Sequence, residues 1–191
     1  MASAKIIAER TFFPYVPYLD SARHFCAEFQ RKGYVSWYDL LASVTLLSLS
    51  VEALANTAGE LHIVDFKDFE SASPKAKIRM ICQAAAINYD KNKSPFVDVL
   101  ALLKVRNQLA HPKLQKLRYE SSDMPLDAAQ KHYEEQGALL HDIEKALTPE
   151  FALRSLESVR SLEHLLIGSL DPTKRMQGST KNLVINEDGS G

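Results

Sequence analysis

The segment from about Trp37 to Thr57 constrains this chain more than any other. From Leu40 to Val51 it reads LLASVTLLSLSV, with apolar residues falling on every side of a helix instead of along one stripe. A helix of that kind is stable only with neighbours on most of its sides, so it belongs in the middle of a bundle. The run is too short to cross a bilayer, which needs about 20 apolar residues, and three serines and a threonine interrupt it. Near the N-terminus Ile6 and Ile7 stand without an apolar run or a small-residue cleavage site. The expectation is a cytoplasmic protein with no membrane association.

The rest of the chain supplies helices to surround that core. Tyr15–Arg31 places Leu19, Ala22, Phe25, Cys26 and Phe29 at helical spacing. The second helix is expected to end at Gly59, with at most a short helical turn near Asp65–Glu70. Ser73-Pro74 and Ser94-Pro95 each read as an N-cap followed by proline in the first turn, and Thr148-Pro149 repeats the signal. They open a third helix to about Ile87, a fourth stopped by Pro112, and a sixth to about Leu170. A fifth covers about Leu126–Leu147. Only 7 Gly and 8 Pro among 191 residues disfavour a turn-rich β fold. The predicted architecture is all-α: an up-and-down bundle of five or six helices in one domain over residues 1–170. A flexible tail follows over 171–191, in which Leu183–Ile185 is the one candidate short strand.

Net charge is −1, so any attraction for nucleic acid has to be local. It is local here. Between Val99 and Tyr119 stand five basic residues (Lys104, Arg106, Lys113, Lys116 and Arg118) and no acid, whereas Glu120–Glu163 carries ten acids against four bases. That is the distribution a phosphate-binding surface requires. The fourth helix ends within it as Lys104-Val105-Arg106-Asn107-Gln108-Leu109-Ala110-His111-Pro112. Arginine offers phosphate a permanently charged, planar fork of donors. Histidine titrates near neutrality and can take or give a proton. Positions five apart lie about 140° apart on an ideal helix and do not face each other. Pro112, however, biases His111 away from helical angles, and a helix that loosens at Ala110 lets the imidazole swing back toward Arg106. Asn107 adds an amide able to orient either partner. The plain alternative is a surface ion pair at Arg106 and a histidine favoured by the helix dipole.

Arg106-Asn107-Gln108-Leu109-Ala110-His111 resembles the Rx4-6H motif of HEPN domains, with a polar residue directly after the arginine. The context is similar too: an apolar helix containing LLSLSVEALAN (46–56), then SPFVDVLALLKVRNQLAHP (94–112). The resemblance covers roughly residues 35–170. It implies a helical core that dimerises, bringing two motifs together across a twofold axis. It also implies metal-independent cleavage of RNA through attack of a 2′-hydroxyl on the adjacent phosphate. Toxin–antitoxin and antiviral-defence roles go with it, and an antitoxin or other regulatory protein is an implied partner. On this resemblance Arg106 binds phosphate, His111 is the general acid or base, Asn107 positions one of them, and Lys104, Lys113, Lys116 and Arg118 guide RNA. No cofactor or metal is implied. In one subset a tyrosine stands two residues after the histidine; here that position is Lys113, and the next tyrosine is Tyr119.

Glu52 is the only charged residue between Leu40 and Gly59, and a carboxylate in so apolar a helix needs a partner. Arg106 is one candidate, which Glu52 would hold in place; a solvent-facing helix edge is the other. His132, His141 and His164 show no metal-ligand spacing. His24 lies near Cys26 in sequence, but spacing alone does not make a nucleophile pair. Trp37, Tyr38, Phe12 and Phe13 are expected as core or interface anchors. Two other functions suit the same residues: a non-catalytic module binding RNA, a nucleotide or a protein, and a purely structural helical domain.

Overall fold

The apolar helix expected at the centre is the centre. In the computed structural model, which describes residues 4–9, 12–32, 34–111, 125, 128, 142–168 and 182–187, six α-helices are present among the described residues. They are α1 (Tyr15–Lys32), α2 (Trp37–His62), α3 (Pro74–Ala84), α4 (Phe96–Ala110), α5 (Asp142–Ala146) and α6 (Pro149–Gly168). Helix α2 packs against α1, α3, α4 and α6, and α6 packs in turn against α1 and α4. Val44, Leu47, Val51, Leu54, Ala55 and Ala58 of α2 are fully enclosed in one continuous core. The molecule is an all-α helical bundle. Ala4–Glu9 and Asn182–Glu187 pair as an antiparallel two-stranded ribbon with Ile6 opposite Ile185. The candidate strand at Leu183–Ile185 falls inside the second of these, while the N-terminal strand was not anticipated.

Buried serines in so apolar a helix are satisfied from within. Ser43 and Ser50 donate to the carbonyls of Leu40 and Leu47 at 2.9 and 2.7 Å, and Ser48 donates to the carbonyl of Val44. This back-bonding lets polar residues occupy core positions without partners on other helices. At 26 residues α2 is also long and apolar enough to cross a membrane, which corrects the expectation that its apolar run is too short. Half of its most apolar window is buried inside the bundle, and a central core helix accounts for that composition.

Helix starts follow the sequence signals with one exception. The Ser36 hydroxyl accepts from the Tyr38 amide, Ser73 from Ala76, and Thr148 from Phe151 at 3.1 Å. At the fourth helix, by contrast, Pro95 rather than Ser94 stands at the N-cap, after a cis Ser94–Pro95 bond, and no side chain caps the helix. The ends differ more. Helix α3 stops at Ala84, short of Ile87. The Ile87 amide reaches back to the Cys82 carbonyl (2.8 Å) and Ala86 to Gln83 (3.3 Å), with Ala86 at φ 54°. This closure normally uses glycine. Helix α2 runs through Gly59 to His62, so Gly59 is not a stop. Its role is close approach: a Cβ there would lie 2.2 Å from the ring of Phe66, in the 3-10 turn Phe66–Phe69. The fifth helix, expected over 126–147, is described at Ala128, which is helical, and over its end, Asp142–Ala146; residues 129–141 lie outside the described residues.

Lys77 of α3 is buried, a placement nothing in its sequence neighbourhood announced. Its ammonium donates to Asn56 Oδ1 of α2 at 2.7 Å and to the Glu70 carbonyl at 2.6 Å, 5.8 Å from the centre of the Phe66 ring. One cation therefore ties α2, α3 and the 3-10 turn together. Asp98 of α4 does the same toward α6, accepting from Arg154 Nε at 3.2 Å and Ser158 Oγ at 3.0 Å.

Two measurements follow from this packing. Gly59→Ala is expected to cost about 1–3 kcal/mol in urea denaturation, because the Phe66 ring must move; Phe66→Leu should recover part of it. Burial pushes the thiols of Cys26 and Cys82 up from 9.0 to about 11. Between those values the native state holds protons that the unfolded chain has lost, so stability falls as pH rises through that interval and is unaffected by these groups below it. Each unit of difference is worth about 1.4 kcal/mol. Cys82→Ala should flatten the fall in urea midpoint between about pH 9 and about pH 11.

Candidate functional site

Two neighbours of α4 hold it in register. The Asp98 contacts fix its first turn against α6, and Phe96, Val99, Leu102, Leu103 and Val105 enter the core. This orientation leaves Lys104, Asn107, Ala110 and His111 exposed and Arg106 half-buried. Helical bonding continues to the end: the His111 amide donates to the Asn107 carbonyl at 3.1 Å, while His111 itself sits at φ −129°, ψ 58°. The expected departure from helical geometry ahead of Pro112 is present, but it occurs at His111 and not at Ala110.

Arg106 and Glu52 meet. The Arg106 Nη2 donates to Glu52 Oε2 at 3.0 Å, joining α4 to α2, and Nη1 donates to Asn107 Oδ1 at 3.3 Å. Both placements open to Glu52 are met at once: its carboxylate pairs with Arg106 and is 38 % exposed. The structure thus brings Arg106, Asn107 and Glu52 together, with His111 one turn further at the exposed end of the same helix. Lys104 lies on the exposed side of α4. Lys113, Lys116 and Arg118 lie outside the described residues, as do His132 and His141.

Beside Arg106 runs a groove of about 670 Å³ between α2, α4 and α5. Trp37, Leu41 and Leu49 line it from α2, Leu109 from α4 and Ile143 from α5, with Arg106 at its wall. Sequence reasoning missed the groove, although Trp37, Leu41, Thr45 and Leu49 recur four apart and mark one face of α2. Trp37 is 40 % and Tyr38 77 % exposed, with their rings edge-to-face at 5.7 Å. Neither is a core residue, which corrects the expectation of a core placement for them.

Other candidates dissolve in the geometry. Cys26 is buried and its thiol is pushed up by desolvation, the opposite of an activated nucleophile, while His24 is exposed on the same helix. Among the described residues no three His, Cys, Asp or Glu side chains come together as a metal site. Tyr15 is raised by burial, then by the charge of Glu163 and a hydrogen bond to it, and sits in the α1–α6 packing away from Arg106.

Compared with family models, curated proteins and solved structures, the chain gives no match.

The Arg106–Glu52 pair is about a third exposed on both sides. An ion pair so placed contributes little to folding. Arg106→Ala is expected to lower stability by less than about 1 kcal/mol in urea denaturation, a cost that leaves the bundle folded. Loss of function in that variant then reports on chemistry.

Proposed function

We propose that this chain is a metal-independent endoribonuclease of the toxin or antiviral-defence kind, working in the cytoplasm as a homodimer. Arg106, Asn107 and His111 of both protomers would act on one RNA linkage. The observation that carries this is the grouping at the end of α4: a guanidinium held by an amide and a carboxylate, with an exposed imidazole one turn away. One such set is chemically incomplete. Cleavage by internal transfer needs a base to take the 2′-hydroxyl proton, an acid to protonate the departing 5′-oxygen, and positive charge on the phosphate between them. Two imidazoles and two guanidinium groups supply all of these and leave a 2′,3′-cyclic phosphate and a 5′-hydroxyl. The apolar groove beside Arg106, lined by exposed Trp37, is a face of the kind that a second protomer covers. Two unpaired, buried cysteines suit a reducing compartment.

A second reading has one observation in its favour. The groove wall is mostly apolar and the one arginine on it is already paired, which suits a non-catalytic module that docks a protein, including a regulatory or antitoxin partner, or that holds RNA without cutting it.

Incubating the purified protein with single-stranded RNA in EDTA separates them. Cleavage is expected, with a cyclic-phosphate end, and His111→Ala should reduce it by about 100-fold or more. RNA binding that survives His111→Ala without any cleavage by the wild type would support the binding module. A folded dimer that neither binds nor cuts RNA would overturn the nuclease.

A further inference from the structure

The geometry points to Glu52 as a positioning residue that is also a counter-charge: it aims the Arg106 guanidinium and at the same time weakens its hold on RNA phosphate. This rests on the nuclease proposed above and adds to it how the site balances binding against turnover.

Three observations carry the inference. Glu52 is the only charged residue in the stretch Leu40–Gly59, and its carboxylate sits on the arginine nitrogen at 3.0 Å. Asn107 takes the other terminal nitrogen at 3.3 Å, so two acceptors on two different helices fix the guanidinium plane. The pair also stands where a ligand can reach it: both side chains are about a third exposed, and Arg106 lines the groove. A guanidinium has five N–H donors, and these two bonds use two, so phosphate can join without displacing either acceptor.

A phosphate arriving there meets a negative charge already at the guanidinium. Its affinity is lowered, for substrate and product alike, since both carry the phosphate. Binding that is equally strong for every species along a reaction slows release without speeding chemistry, and a dimer places two such arginines on one linkage. Glu52 therefore does two separable things. Its acceptor oxygen orients Arg106, and its charge tempers binding.

Glu52→Gln and Glu52→Ala separate them. Glutamine keeps an acceptor oxygen and loses the charge; alanine loses both. Binding is measured by anisotropy with a 2′-O-methyl single-stranded RNA, which cannot be cut, and kcat with the unmodified RNA. Glu52→Gln is expected to bind about three- to fivefold tighter, the scale of an exposed ion pair. Its log–log salt dependence should steepen by about 0.7, and its kcat should fall by no more than the gain in affinity slows release. Glu52→Ala is expected to lose about tenfold or more in kcat with its melting temperature close to that of Glu52→Gln. If Glu52→Gln leaves affinity and salt slope unchanged, the counter-charge is wrong. If Glu52→Ala turns over as fast as Glu52→Gln, the positioning role is wrong. Should Glu52→Ala fail to fold, the glutamine variant alone still decides the charge. Wild type that does not bind or cut RNA overturns the nuclease itself, an outcome distinct from a nuclease that is indifferent to Glu52.

Discussion

Everything in this molecule depends on enclosing α2. Its apolar residues point in all directions, and α1, α3, α4 and α6 each pack against it. Enclosure dictates the details. Serines inside α2 turn back on their own carbonyls, Gly59 lets the Phe66 ring lie against the helix, and buried Lys77 is accepted only because an amide, a carbonyl and an aromatic face surround it. Glu52 stands apart from these: about a third exposed, it meets Arg106 of α4 in a pair that contributes little to folding. The core sets how α2 and α4 lie beside each other, and that placement brings the two side chains within 3.0 Å.

Much of this was legible in the sequence. Amphipathic spacing located α1, cap-and-proline pairs located the starts of α3 and α6, and the composition of α2 placed it centrally. What was not legible depends on contacts between distant residues. Gly59 reads as a helix stop in one dimension, and only the Phe66 ring lying against it shows why glycine stands there inside a continuing helix. Nothing local distinguishes Lys77 from a surface lysine. The end of α3 is set by an Ala86 in the left-handed region, where glycine would have been the recognisable signal. At Ser94-Pro95 the same dipeptide class that caps α3 leads instead into an uncapped helix, because the backbone around the proline takes a different course.

The site shows the same division. Arg106, Asn107 and His111 could be singled out because their spacing and the charge around them are visible along the chain. The pairing of Glu52 with Arg106 was one of two open possibilities until α2 and α4 were seen side by side. The groove was invisible, since its walls come from three helices far apart in sequence. Its apolar lining matters for the chemistry: the Arg106 end is polar, an arginine paired with Glu52, while the wall beside it is mostly apolar. A site divided in this way makes sense if one copy of the chain supplies half of the reacting groups and the groove receives the other copy.

The separation of the two α4 ends in solution tests that claim most directly. Cys26 and Cys82 are each 1 % exposed, so a spin label on Ala110→Cys will mark the helix end selectively. Double electron–electron resonance should give a dimer with one narrow, short distance between labels, as two imidazoles serving a single linkage require. A monomeric protein without dipolar coupling, or a dimer whose labels lie on opposite faces, would contradict the account.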